Sequence, residues 1–253
     1  MTKFICSLTE RDAGIRAAEI MAEVINEKNG ALIGLATGST PINMYSELVR
    51  MYERGLLSFK NVKCVNLDEY VGLPHTHIQS YAYFMHEKLF KLIDIKEENT
   101  YIPNGMTESP EGECERYNRL LDRLGRVDIQ LLGIGHNGHI AFNEPDTHFP
   151  KDTTLIRLSD STVTANSRFF DSPGDVPKQA ISMGIGRILR ARKILLLVTG
   201  KSKADILERA LFGKITPSLP ASILQFYQGD LTVCGDREAF SQILEKHPSV
   251  FIN

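Results

Sequence analysis

The chain has 253 residues, a formal net charge of -2 at pH 7, and lysines and arginines spread along its length instead of gathered in blocks. A chain of that length can bury a sizeable core as one large domain. The charge pattern excludes nucleic acid and an anionic membrane surface as partners and leaves small anions as the expected ligands.

The N-terminal stretch, MTKFICSLTERDAG, has no basic region followed by an apolar run, and the longest solid apolar run, Ile194 to Val198, is far too short to span a bilayer. The four cysteines, Cys6, Cys64, Cys114 and Cys234, are far apart and form no Cys-x-x-Cys pair. Free thiols in a cytoplasmic protein are expected.

In chain order, Thr9 is a plausible N-cap, and Ala13, Ala17, Ile20, Met21, Val24 and Ile25 recur at helical spacing until Asn29-Gly30 stops them. Ala31 to Ala36 reads as a buried strand that turns through Thr37-Gly38-Ser39-Thr40-Pro41 into a second helix, with Pro41 suited to its first position. Val62 to Leu67 is another buried strand, ending in Asp68-Glu69-Tyr70, and Ser80 to Leu92 follows as an amphipathic helix. A weak strand at Thr100 to Ile102 and a charged helix over 111–124 lead to a strand starting at Val127.

This rhythm of strand and helix predicts an α/β fold: an open, mostly parallel sheet with helices on both faces, in one domain over 1–253. Beyond it come short strand candidates at 154–158 and 180–183, with a Ser/Thr-rich segment over 159–178 whose composition suits a lid. Lys193 to Val198 is a further buried strand, followed by Gly200-Lys201-Ser202-Lys203 and a helix through Leu211. Leu231 to Cys234 is the last strand and Arg237 to Lys246 the last helix.

Strand ends in a parallel sheet share one edge, so the loops after them can build one site. The Gly38-Ser39-Thr40-Pro41 loop offers backbone approach, hydroxyls and a helix N-terminus to an anion, although ordinary helix capping explains the same residues. Lys203 can neutralise a phosphate or simply be solvated. The Gly200-Lys201 pair lacks the earlier glycine of a nucleotide P-loop, since Leu195 occupies that position inside a strand.

The central stretch, VDIQLLGIGHNGHIAFNEP over 127–145, contains Gly133-x-Gly135-x-x-Gly138. Pro145 follows too soon for the helix that a dinucleotide fingerprint must open. His139 is the acid/base candidate, because a histidine can take and give a proton near neutrality, and Glu144 can orient or charge-stabilise it. His136 reads as structural or peripheral. Asp68, at a strand end, suits a base for a carbon-bound proton, with a pair of turn acids as the alternative. His75-Thr76-His77 lacks a third ligand at metal spacing, so no metal is expected.

LDEYVGL at 67–73, GHNGHIAFNEP at 135–145, NSRFF at 166–170 and the TGST-P turn at 37–41 together resemble the glucosamine-6-phosphate deaminase (isomerase) family, in order over nearly the whole chain. The resemblance implies a Rossmann-like sheet and conversion of glucosamine 6-phosphate and water to fructose 6-phosphate and ammonia, with neither metal nor organic cofactor. It implies Asp68 as the base at sugar carbon 2, and His139 with Glu144 as the ring-opening group. Ser39, Thr40, Arg168 and Lys203, with Gly38 beside them, are implied to hold the phosphate.

Asn137 stands where some members carry aspartate in the ring-opening group, and is expected to orient His139. Members activated by an acetylated sugar phosphate carry basic residues after Asn-Glu-Pro and a longer C-terminus, whereas this chain continues DTHFPKDTTLIRL and stops at Asn253. The expectation is therefore a protein without that allostery, with a lean towards a monomer.

Two rivals remain. A 6-phosphogluconolactonase is similar in fold and in the glycine-histidine loop, but Phe142-Asn143-Glu144-Pro145 and the Asp-Glu-Tyr strand end favour the deaminase. A sugar-phosphate sensor of a transcription regulator needs an attached DNA-binding module, and only residues 1–30 precede the first core strand expected at Ala31.

Overall fold

A computed structural model describes residues 2–170 and 172–251. The elements follow in chain order: β1 (Thr2–Ser7), α1 (Glu10–Glu27), β2 (Leu32–Leu35), α2 (Ile42–Glu53), β3 (Lys63–Asn66), β4 (Asp68–Tyr70), α3 (Tyr81–Lys88), β5 (Thr100–Tyr101), α4 (Pro110–Leu124) and β6 (Ile129–Leu132). After them come β7 (Thr154–Arg157), α5 (Asp160–Asn166), β8 (Gln179–Ser182), α6 (Ile185–Ile188), β9 (Lys193–Val198), α7 (Ala204–Phe212), β10 (Asp230–Asp236) and α8 (Ser241–Lys246).

Among the described residues the strands form two sheets, a seven-stranded one in the order β1-β10-β9-β6-β2-β3-β5 and a three-stranded one in the order β4-β8-β7. Every pairing in the large sheet is parallel. From β1 through β2 and β3 to β5 the chain moves in one direction across this sheet, and from β5 through β6 and β9 to β10 it moves back. Right-handed crossovers then put α1 to α3 on one face and the later helices on the other. The order reverses between the neighbours β2 and β6, and an open α/β sheet presents its ligand crevice at such a point.

Local chemistry explains the frame. Thr9 caps α1 by accepting from the Asp12 N–H at 3.2 Å, and Ala13, Ala17, Met21, Val24 and Ile25 form its buried face. Ser80 caps α3 through the Tyr83 N–H at 3.0 Å. The strands β2, β6 and β9 are almost wholly buried, as continuous apolar runs in a parallel sheet have to be.

The structure departs from the sequence expectations in three places. β1 is an added edge strand that composition concealed: Thr2, Lys3 and Cys6 are exposed and Phe4 and Ile5 only half-buried. Asp68 does not end the Val62 strand in a loop; it opens β4, paired antiparallel with β8 through Ser182. α8 starts at Ser241 and not at Arg237, because residues 237–240 turn tightly over Asp236, whose carboxylate accepts the Ala239 N–H at 2.8 Å. Of the thiols, Cys6 is exposed while Cys64, Cys114 and Cys234 are buried, and all four are unbridged.

The lid segment over 159–178 forms α5 and two short turns, at Ser167–Phe169 and Pro173–Asp175, with Asp171 outside the described residues. It packs on the small sheet through a second apolar cluster of Tyr70, Leu73, Phe142, Leu158 and Ala180, joined by Tyr81, Val163 and Phe170. No helix among the described residues is long and apolar enough to cross a membrane.

Candidate active site

A cleft of about 750 Å³ lies over the carboxyl ends of β2, β6 and β9 and is flanked by β4 and the lid. Gly38, Ser39, Thr40, Asp68, Asn137, His139, Arg168 and Lys203 all line it. Glu144 stands just behind, in contact with Asn137 and His139. The structure thus brings together all nine residues singled out from the sequence.

The loop after β6 folds on itself: the Gly135 N–H donates to His139 O at 2.9 Å, and the Gly138 N–H to Gly135 O at 3.1 Å. The imidazole of His139 lies directly over Gly135, where a Cβ would come within 2.3 Å of Nε2, so only glycine fits there. Glu144 Oε2 accepts from Asn137 Nδ2 at 2.5 Å and from the Ser159 hydroxyl at 3.2 Å, and stands 3.6 Å from His139 Nδ1. Burial opposes ionisation of Glu144, but contacts with His139, Thr162 and Asn137 outweigh it and hold the carboxyl down at about 2. A carboxylate that stays ionised beside the ring stabilises an imidazolium, as proton shuttling requires.

Asn137 bonds to His139 through the backbone and not through the ring. Its Oδ1 accepts the backbone N–H of His139 at 3.2 Å, and its amide goes to Glu144 and not to the ring. It therefore fixes the loop and the carboxylate, and the ring only through them.

Asp68 is buried at the first position of β4 and faces the cleft. Burial, with the charge of Glu69 adding, pushes its carboxyl up to about 8. A carboxylate so destabilised is a stronger base than one in water. Its neighbour Glu69 is fully buried and serves α3 instead: it accepts the N–H groups of Tyr70 at 2.8 Å, Tyr81 at 2.9 Å and Ala82 at 2.9 Å. The two acids that look like a turn pair in sequence are thus split by the strand's alternation between chemistry and helix anchoring.

Also lining the cleft, Gly38 adopts φ +102°, which lets the backbone turn tightly after β2 into the N-terminus of α2. Lys203 Nζ crosses to the central loop and donates to Ile134 O at 2.8 Å. Burial and then the charge of Arg168 push the Lys203 ammonium down to about 8. Two cations whose charges oppose each other across a cleft gain most from an anion placed between them. The Arg168 guanidinium also lies over the Phe169 ring, 4.7 Å from its centroid.

Several site residues were not legible in sequence. His136, expected to be peripheral, lines the cleft, and burial together with Lys203, Arg168 and His139 lowers its pKa. Asp236, at the end of β10, holds the loop after β9 by accepting the Gly200 N–H at 3.0 and 3.1 Å. Asn143 ties the central loop to the small sheet by donating to Ile140 O and Met183 O, each at 2.9 Å. Only Asn143 gave a local signal, through its place in the Asn-Glu-Pro run.

An open parallel sheet whose switch-point cleft is lined by a basic carboxylate, a histidine backed by a second carboxylate, and two cations defines an α/β enzyme for small anionic substrates. The model of the family described as glucosamine-6-phosphate isomerases/6-phosphogluconolactonase matches residues 8–233, and the chain belongs to that family.

The glucosamine-6-phosphate deaminase of Lachnoclostridium phytofermentans is 50% identical over 231 residues, covering 91% of this chain and 98% of its own. That of Clostridioides difficile is 50% identical over 231 residues, covering 91% and 92%. The solved structure of a monomeric glucosamine-6-phosphate deaminase superposes with a TM-score of 0.92 at 46% identity, covering 95% of this chain and 99% of that one. The 6-phosphogluconolactonase of Thermotoga maritima shares the fold, with a TM-score of 0.75 at 20% identity over 93% of this chain and all of the other.

Proposed function

We propose that the chain is a glucosamine-6-phosphate deaminase, a single sugar-phosphate domain that converts glucosamine 6-phosphate and water to fructose 6-phosphate and ammonia. The observation that carries this reading is the convergence of Asp68 and the His139–Glu144 pair with Arg168 and Lys203 in one cleft. Relatives about half identical over nearly their full length carry the same activity in their names.

The substrate phosphate sits among Ser39, Thr40, Arg168 and Lys203 with Gly38 at its back. Binding at this end fixes the sugar carbons against the proton-transfer groups, so that contacts remote from the reaction lower its entropic cost. His139 opens the pyranose by moving a proton from the anomeric hydroxyl to the ring oxygen, and Glu144 stabilises the imidazolium that forms in between. Asp68 takes the proton from carbon 2 and returns it to carbon 1. The isomerised product is an imine at carbon 2, which water hydrolyses to the ketone with loss of ammonia. Nothing is oxidised or reduced overall, so the sequence needs no electron carrier.

We read the protein as cytoplasmic and as a non-allosteric monomer, a lean supported by the 46% identical relative described as monomeric. The lactonase reading draws on the shared family description and on neighbours near 20% identity, which share the fold. Purified protein offered glucosamine 6-phosphate and 6-phosphogluconolactone in separate reactions decides between them. Ammonia and fructose 6-phosphate from the first, with the lactone left intact, are expected. Consumption of the lactone without ammonia release overturns the proposal.

A further inference from the structure

The anion-binding Arg168 is not held by its own contacts alone. It follows α5 by two residues, and α5 ends at Asn166, whose Nδ2 donates to the Tyr70 hydroxyl at 2.8 Å. Tyr70 lies on β4, two residues from Asp68, and is buried. Its hydroxyl is also in polar contact with that of Tyr81, and Tyr81 with the side chain of Thr37, which opens the Gly38-Ser39-Thr40 loop. A chain of polar groups therefore runs from the lid, through two tyrosines, to the loop after β2, and both of its ends line the cleft.

The rings of this chain are tightly placed. The Tyr70 and Tyr81 centroids are 4.9 Å apart, Tyr81 stacks on Phe142 at 5.7 Å and 10°, and Phe170 meets Tyr70 edge-on at 6.1 Å. Phe142 in turn lies 6.3 Å from the His139 ring. Side chains locked by packing can transmit a position, whereas a single hydrogen bond from a surface loop to water cannot.

We infer that Asn166 is a positioning residue for the phosphate subsite: through Tyr70 and Tyr81 it holds Arg168 in register with the Thr37–Thr40 loop. The inference rests on the deaminase reading for the identity of the anion, but not for the existence of the subsite. Asn166 itself lines the cleft, and the part assigned to it is to place Arg168 and not to take part in proton transfer. Its loss leaves proton transfer intact and weakens ground-state and transition-state binding alike, which raises KM and spares kcat.

The test uses Asn166→Ala, Tyr70→Phe and Arg168→Ala, singly and with Asn166→Ala combined with Arg168→Ala. Two readouts are taken, steady-state ammonia release and calorimetric binding of inorganic phosphate. Asn166→Ala and Tyr70→Phe are each expected to raise KM and the phosphate dissociation constant together, by roughly fivefold to tenfold, the effect of one hydrogen bond. In the combined variant the loss is expected to match that of Arg168→Ala alone, because the anchor has nothing left to position.

A fall in kcat with phosphate affinity unchanged, or losses that multiply in the combined variant, overturns the inference. Tyr70→Phe keeps the ring in the aromatic cluster, so it tests the polar chain even where Asn166→Ala folds poorly. Phosphate binding needs no turnover: a wild type that binds phosphate but releases no ammonia defeats the deaminase reading and leaves this comparison standing.

Discussion

Asn137 Nδ2 donates to Glu144 Oε2 at 2.5 Å, and the same oxygen faces His139 Nδ1 at 3.6 Å, so a neutral amide holds the carboxylate that serves the histidine. Asn137→Ala removes the donor, and with it the contact that holds the Glu144 carboxylate beside the ring. The expected outcome is a fall in kcat at pH 7 of roughly tenfold, with a smaller change in KM. Steady-state ammonia release measures it, and an unchanged kcat shows that Asn137 does not support the ring-opening pair.

The pH profile follows from two opposed shifts. Asp68 must be ionised to accept a proton, and its carboxyl lies at about 8, so kcat/KM climbs as pH rises towards that value. Lys203, pushed down to about 8, loses its charge above it, and kcat/KM falls again. Lys203→Arg keeps its charge to far higher pH and is expected to move the alkaline limb upward. The ionisations of the substrate are common to both enzymes, so the difference between their profiles isolates residue 203. Superimposable alkaline limbs would remove Lys203 from the binding step.

The same burial makes Asp68 a cost to the fold. Its folded pKa is raised, so the native state retains a proton that the unfolded state has released. Stability is accordingly lost as pH rises from the ordinary aspartate value of 3.8 to about 8, and the loss levels off above. Asp68→Asn is expected to be more stable than the wild type at pH 8, with the gap narrowing towards pH 4. Denaturant midpoints across this range measure the gap, and one that does not change with pH contradicts the burial argument.

Gly135 is predicted to tolerate no side chain, since a Cβ there meets His139 Nε2 at 2.3 Å. Displacing a catalytic ring by about 1 Å costs on the order of a hundredfold in rate. Gly135→Ala should therefore lose kcat at that scale while its phosphate affinity is retained. Wild-type kcat in this variant would mean that the ring position is not critical.

Much of the fold was written in apolar runs. Lys193 to Val198 was legible as a buried strand to the residue, because a central parallel strand is apolar on both faces and admits no competing pattern. β1 was not, since an edge strand alternates weakly and exposes Thr2, Lys3 and Cys6. The partition of Asp68 and Glu69 was hidden for another reason. Only the pairing of β4 with β8 decides which acid faces the cleft and which faces α3, and residues over a hundred positions apart make that pairing. The central loop was legible because its glycines, histidine and Asn-Glu-Pro run sit together in sequence. The Asn166–Tyr70 contact joins residues 96 positions apart and left no local signal.

The division of labour proposed for the cleft gives phosphate binding to Arg168 and Lys203 and proton transfer to Asp68 and the His139–Glu144 pair. Asp68→Asn tests it most directly, with turnover followed by ammonia release and binding of a phosphorylated substrate analogue followed by calorimetry. The expected result is a loss of turnover of roughly a thousandfold or more, with analogue affinity close to that of the wild type. Loss of analogue binding along with turnover would make Asp68 a structural residue and contradict the division of labour proposed here.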